Sequence, residues 1–249
     1  MISRALLCTA AGAALFLSRA LAPSAAADDD GNLTAKQLAD QADDNLRHAT
    51  SMHLKFADHS AGVATDAKKP TSMDLSLDRD GNCAGTLRMA SNGGTVEIVK
   101  RVDQVWMKPD AAFWKAQLPG GQGDAAAELY KNRYIHGTTN DKLLEDVSGL
   151  CEMTTYQQQP DGGGDLTKGA ETTLDGTKVI PLTGQRDDGT RTTLYVTSSS
   201  PHRLYATTEK GGGTDRIVTY TDYDKPVPTK TPSPGESVDI GKLEQLLNQ

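Results

Sequence analysis

The feature that most constrains the fold of this chain is a series of short segments in which apolar and polar side chains alternate. Their apolar members are Met52, Leu54 and Phe56, then Met73, Leu75 and Leu77, then Leu87 and Met89, then Val96 and Ile98, then Val105 and Met107. A period of two is the periodicity of a strand with one buried face. Tight-turn sequences such as Asp80-Gly81-Asn82 separate the segments, which predicts an antiparallel meander.

A second block of strands is predicted in the C-terminal half. Its segments are residues 151–157, 172–174, 177–182, 190–196, 203–209 and 216–223. With the first block this makes about nine or ten strands, a number that suits one large curved antiparallel sheet.

The segment before the first strand predicts a helix instead. Thr34 and Gln37 have the spacing of a capping box. Leu38, Ala42 and Leu46 follow at intervals of one helical turn, so the helix has one apolar face.

Further helices are predicted at residues 125–134 and 141–147, within a helical insertion near 110–150, and after Asp239 at the C-terminus. The sequence therefore predicts an α+β fold in which a few helices cover the inner face of one large curved antiparallel sheet. Such a layer has either a filled core or an apolar cavity that opens to solvent.

The N-terminus has the layout of a secretory signal peptide. A basic start, an apolar run over residues 5–17 and a small-residue site at 24–27 predict cleavage after Ala27. We expect residues 28–33 to be a disordered acidic leader and 34–249 to form a single domain. Cys8 follows Leu7 rather than the small residue of a lipobox, so we expect no lipid anchor. The predicted product is a monomer that is secreted or associated with the cell surface.

The charge of the chain excludes some partners. The formal net charge is −7, and loss of Arg4 and Arg19 with the signal peptide makes the remainder more acidic. An acidic chain has no electrostatic reason to bind nucleic acid. It also gains nothing from an anionic membrane surface.

Two cysteines, Cys83 and Cys151, remain after the signal peptide. An even pair in an exported chain predicts a disulfide. Closing a loop of about 70 residues is worth roughly 4 kcal/mol from chain entropy. Two buried thiols are the alternative.

Catalytic and metal-binding patterns are missing from the sequence. It contains no Gly-x-Ser-x-Gly, no His-Glu-x-x-His and no phosphate-binding loop. We therefore expect neither an enzyme nor a resident metal or cofactor. Trp106 and Trp114 have two interpretations, core packing at a corner of the fold or an aromatic rim at a ligand mouth.

Several segments resemble the LppX/LprA/LprF/LprG lipoproteins of actinobacterial envelopes, and residues 81–86 resemble streptomycete secreted members of that group. The resemblance spans roughly residues 33–235. The segments that carry it are residues 35–49, 94–100, 104–107, 112–114, 178–182, 194–196, 201–204 and 221–227.

The resemblance implies a LolA-like half-barrel that holds acyl chains of a lipid between sheet and helices and carries or presents that lipid in the envelope. It implies no catalytic residue. The apolar sheet face that could receive acyl chains is formed by Leu54, Phe56, Leu75, Leu77, Val96, Ile98, Leu194 and Val196. The alternatives are an envelope sensor like RseB and MucB, with an envelope or membrane protein as its partner, or a structural domain of the same fold that transports nothing.

Overall fold

The fold is taken from a computed structural model that describes residues 33–63, 65–67, 69–158 and 165–247. The predicted signal peptide, Cys8 and nearly all of the acidic leader lie outside the described residues. Their roles stay predictions.

Strands make up most of the described chain. In the N-terminal half they are β1 (Ser51–Asp58), β2 (Pro70–Asp78), β3 (Cys83–Met89), β4 (Thr95–Arg101), β5 (Gln104–Pro109) and β6 (Tyr134–Thr138). In the C-terminal half they are β7 (Thr167–Lys168), β8 (Thr172–Leu174), β9 (Thr177–Gln185), β10 (Arg191–Thr197), β11 (Leu204–Gly211), β12 (Thr214–Thr221) and β13 (Ser237–Asp239).

These strands form one 13-stranded sheet in the order β13-β6-β5-β4-β3-β2-β1-β12-β11-β10-β9-β7, with β8 also on β9. Every pairing is antiparallel except that of β13 with β6. The two predicted strand blocks join where His53 of β1 pairs with Thr221 of β12. The predicted α+β fold with one large curved sheet is confirmed.

The helices are α1 (Ala35–His48), α2 (Ala111–Gln117), α3 (Gln122–Leu129), α4 (Lys142–Gly149), α5 (Met153–Tyr156) and α6 (Ile240–Leu247). They divide the inner face of the sheet between them. Helix α1 lies against β10 and β11, whereas α2, α4 and α6 lie against the strands from β4 to β6. The N-terminal half of the sheet is therefore covered by several short helices, and the other half by one long helix.

Helix α1 forms as its sequence predicts. The Thr34 hydroxyl accepts a hydrogen bond from Gln37 N, and the Gln37 side chain accepts one from Thr34 N, which completes the capping box. Leu38, Ala42 and Leu46 are fully buried. The apolar face of α1 is thus part of the main core.

The structure corrects two local predictions. The helix expected at residues 125–134 ends at Leu129, because Asn132 has a positive φ of 58° and short polar residues tolerate that conformation. The chain then enters strand β6, which was not predicted. The strand expected at 151–157 is helix α5, with Met153 and Gln157 buried on one helical face. Trp114 lies in α2, within the helical insertion predicted near 110–150.

The chain beyond β12 runs along one end of the sheet to reach its far edge. Ser51 at the start of β1 donates its hydroxyl to the Lys225 carbonyl, and Arg101 at the end of β4 donates to the Thr229 carbonyl. The chain then adds β13 to the edge strand β6 and ends in α6. The predicted C-terminal helix is confirmed, and the Asp239 carboxylate accepts from Gly241 N at its start.

Candidate functional site

A cavity of about 490 Å³ lies between the inner face of the sheet and the short helices. The sheet contributes the side chains of Pro70, Leu87, Met89, Val96 and Met107. The helices and their ends contribute Phe113, Trp114, Gln117, Leu118, Leu143, Asp146, Val147, Leu150 and Leu243. Nearly all of these side chains are apolar, and the volume is within the usual range of small-molecule sites.

The cavity has a buried floor and an exposed rim. Val96 on the floor is fully buried, whereas Leu143 on α4 is 40% exposed. Asp146, one turn further along α4, is also exposed. An apolar side chain exposed beside an apolar cavity marks an entrance for an apolar ligand.

Helix α2 is fastened over the cavity by one carboxylate and one glycine. Asp110 is the N-cap of α2, and its Oδ1 accepts a hydrogen bond from Phe113 N at 2.8 Å while its Oδ2 accepts one from Thr95 N at 2.9 Å. Gly94 has a φ of +83°, and a Cβ placed there would lie 2.2 Å from Asp110 Oδ1. The turn between β3 and β4 therefore needs glycine so that α2 can approach and place Phe113 and Trp114 in the cavity wall.

The opposite wall is fastened by the predicted disulfide. Cys83 at the start of β3 is bonded to Cys151, which follows Leu150 of the cavity wall. Buried Lys100 reinforces the link, since its Nζ lies 3.1 Å from Glu152 Oε1 and 3.2 Å from the Gly81 carbonyl oxygen.

Tyr156 holds Leu150, on the wall that the disulfide fastens, in place. Its hydroxyl donates to the Leu150 carbonyl at 2.8 Å. Burial raises the pKa of Tyr156 to about 12, so the hydroxyl stays a donor at neutral pH. The segment that carries α4 and α5 is thus tied to the sheet by the disulfide and the ion pair of Lys100 with Glu152, and its own end is held by the Tyr156 hydrogen bond.

The two tryptophans lie in different surroundings. Trp114 is 3% exposed and belongs to the main core while also lining the cavity, which fits the interpretation of core packing; a ligand mouth stays a prediction. Its ring is 5.8 Å from that of Tyr130. Trp106 on β5 instead stacks on His136 at 4.6 Å and does not line the cavity.

The structure separates the eight residues predicted to receive acyl chains. Val96 lines the cavity. Leu54, Leu75, Leu77, Ile98, Leu194 and Val196 are buried in the main core, and Phe56 packs against it half-buried. Their role in ligand binding stays a prediction. Met107, Val147 and Leu243 line the cavity without having been predicted as site residues.

Two histidines outside the cavity have hydrogen-bond partners within the fold. His53 on the outer face has its Nε2 2.5 Å from Asp74 Oδ1, and buried His202 has its Nδ1 2.8 Å from the Thr197 carbonyl oxygen. Within the described ranges, no group of three or more His, Cys, Asp or Glu side chains is placed to hold a metal ion. No helix in the described part of the chain is long and apolar enough to cross a membrane.

Comparison with known proteins identifies the fold. No family model matches the chain, and no curated protein matches it. Among solved structures, LprF from Mycobacterium bovis matches with a TM-score of 0.54 and 12% identity, over 80% of this chain and 97% of LprF. The lipoprotein LppX of Mycobacterium tuberculosis matches with a TM-score of 0.49 and 13% identity, over 79% of this chain and 98% of LppX. The Pseudomonas aeruginosa MucA/MucB complex matches with a TM-score of 0.34 and 13% identity, over 81% of this chain and 62% of the matched chain.

The likeness to LprF establishes a shared fold. The fold that the resemblance implied, a half-barrel of one large curved sheet over helices like that of LprF, is therefore confirmed.

Proposed function

We propose that this protein binds an acyl lipid in the cavity between the sheet and helices α2, α4 and α6, and carries or presents it outside the cytoplasm. The observation that carries the proposal is the cavity itself, an apolar space of about 490 Å³ with an exposed entrance. Each methylene transferred from water into such a space contributes about 0.8 kcal/mol. A chain of methylenes therefore binds there without any specific polar contact.

The position of the two exposed rim residues suggests how a lipid lies. Apolar Leu143 and charged Asp146 are both on the exposed side of α4 and both line the cavity. An acyl chain would enter past Leu143 and leave its polar end near Asp146 and solvent. The predicted signal peptide supports a place of action outside the cytoplasm.

The first experiment is native mass spectrometry of the protein purified from its own host's culture, followed by organic extraction. We expect a bound acyl species of defined mass. A clean apo mass after gentle purification would contradict the proposal, and it would favour the alternative of a sensor or structural domain.

A variant that fills the cavity gives an independent check. Val147 is half-buried on α4 and lines the cavity, so Val147→Trp places an indole in the space that the lipid would occupy. We expect lipid loading to fall at least about tenfold, a change of 1.4 kcal/mol. Loading is measured as extracted lipid per mole of protein.

The matched control is Leu129→Trp. Leu129 is 56% exposed on α3 and is not part of the cavity wall. The added bulk is similar, but it points to another surface. Equal loading of both variants and the wild type would show that the lipid binds elsewhere.

A further inference from the structure

The size of the cavity limits how much of a lipid it can hold. Its volume is about 490 Å³. A methylene group takes up about 30 Å³, roughly the share of one water molecule in the liquid. The cavity therefore has room for about sixteen methylenes. That capacity corresponds to a single acyl chain of ordinary length.

The cavity is closed at its inner end, so a longer chain cannot extend through it. Four of its lining side chains, Leu87, Val96, Met107 and Leu243, are at most 4% exposed. The rim at Leu143 is 40% exposed. A chain that enters past Leu143 ends against the buried side chains, and any carbons beyond the capacity of the cavity stay at its mouth in water.

In the described part of the chain, the space beside the cavity is either filled or polar. Leu54, Leu75 and Leu194 on the inner face of the sheet are at most 2% exposed and belong to the main core. A pocket of about 560 Å³ borders α2, but charged side chains line it, among them the ion pair of Lys115 with Asp124. Charged groups lose hydration when an apolar chain covers them, so this pocket does not suit a second acyl chain.

We propose that the cavity takes one acyl chain of up to about sixteen carbons, and that its lipid is a single-chain lipid whose polar head stays at the mouth. The inference rests on the proposed function and adds to it the class of lipid. A lipid with two long chains would have to leave one of them in water. Each methylene left there lowers the affinity about fourfold, equivalent to 0.8 kcal/mol.

The test measures affinity as a function of chain length. The probes are lysophosphatidylcholines from decanoyl to eicosanoyl, each kept below the concentration at which it forms micelles. Binding to the full-chain, delipidated protein is measured by displacement of a polarity-sensitive dye. We expect affinity to rise about fourfold for each added methylene, until the chain reaches about sixteen carbons, and then to stop rising.

A variant that enlarges the cavity should move this length limit. Val96 lines the cavity and is fully buried, so Val96→Ala removes two methyl groups from its wall. We expect the limit to move up by about two carbons, because the surrounding structure relaxes only in part around such a deletion. The matched control is Val105→Ala. Val105 is as deeply buried in the main core but does not line the cavity, so the limit should stay where it is.

A two-chain lipid gives a second comparison that needs no variant. Dipalmitoyl phosphatidylcholine, delivered as a monomer from cyclodextrin, should bind at least about tenfold more weakly than palmitoyl lysophosphatidylcholine. Affinity that keeps rising through the eicosanoyl probe, a length limit that is the same in Val96→Ala and Val105→Ala, or equal binding of the one-chain and two-chain lipids would each overturn the inference and leave lipid binding standing. Failure of every probe to bind would overturn the proposed function, and this inference with it.

Discussion

At the scale of single residues, Asp58 at the end of β1 contributes to stability through a buried charge. Its side chain is 4% exposed and pairs with Arg216 of β12 at 2.8 Å, and it also accepts a hydrogen bond from Ser60 N. Burial alone would raise the pKa of Asp58, but the hydrogen bonds from Ser60 and Arg216 outweigh burial and lower it. Asp58 therefore joins β1 and β12 through a charge that favours the folded state.

The lowered pKa of Asp58 predicts that the protein loses stability in acid. Because the folded-state pKa lies below the unfolded value of about 3.9, the contribution is present above pH 4 and is lost as pH falls through the folded pKa. We expect Asp58→Asn to lower the free energy of unfolding by about 1–3 kcal/mol at neutral pH. It should also flatten the acid limb of a urea-denaturation series.

Asp40→Asn is the control for that series. Asp40 pairs with Lys36 on the exposed side of α1, where both side chains are more than half exposed, and such pairs contribute little. A loss of stability as large as that of Asp58→Asn would refute the assignment to the buried pair.

The individual residues that line the cavity were harder to predict than the fold. Period two identifies which face of a strand is apolar, and seven of the eight predicted lining residues are indeed buried in the main core. The same pattern carries no information on which part of that face a helix covers. Helix α1 lies over the strands that hold Leu194 and Val196, so the open space formed at Val96 instead.

Among the secondary-structure elements, α2 depends on the glycine beneath it. Gly94→Ala would add strain at a positive φ and bring its Cβ within 2.3 Å of Phe113 N. We expect a loss of at least about 2 kcal/mol in the free energy of unfolding, measured by urea denaturation. Lipid loading should fall as well, since Phe113 and Trp114 move with the helix.

The control variant Gly176→Ala separates the strain of a positive φ from the close contact with α2. Gly176 has the same φ of +83°, but a Cβ there meets nothing within 4 Å. Its loss of stability reports backbone strain alone. If both variants lose the same amount, the close approach of α2 has no energetic weight.

Helices and strands could be predicted from the sequence where the residues that begin and end them are themselves recognisable. The capping box of α1, and the glycine turns that join β2 to β3 and β3 to β4, specify where these elements end without reference to the rest of the molecule. Strand β6 and helix α5 were missed because their state is decided by distant partners. Ile135 of β6 pairs with Met107 of β5, and Gln157 donates to the carbonyl groups of Leu46 and Ala49 at the end of α1.

At the scale of the whole molecule, the disulfide links parts of the chain 68 residues apart. We expect the double variant Cys83→Ser/Cys151→Ser to lose about 2–4 kcal/mol of stability. Amides of residues 142–156 should exchange faster with solvent, because the wall of the cavity is released from β3. Reductant should reproduce both effects in the wild type and have none on the variant. Labelling of both cysteines in the native, unreduced protein would contradict the pairing.

The pairing of β1 with β12 has a consequence for how the chain is made. Strand β1 precedes the rest of the sheet in the chain and occupies its centre, and the register of His53 with Thr221 waits for a segment 168 residues further along. Contacts between residues so far apart in sequence slow folding, and until they form one edge of β1 is open to other chains. The unfolded chain is therefore open to aggregation at β1 until β12 has been made, and the two halves of the sheet join only then.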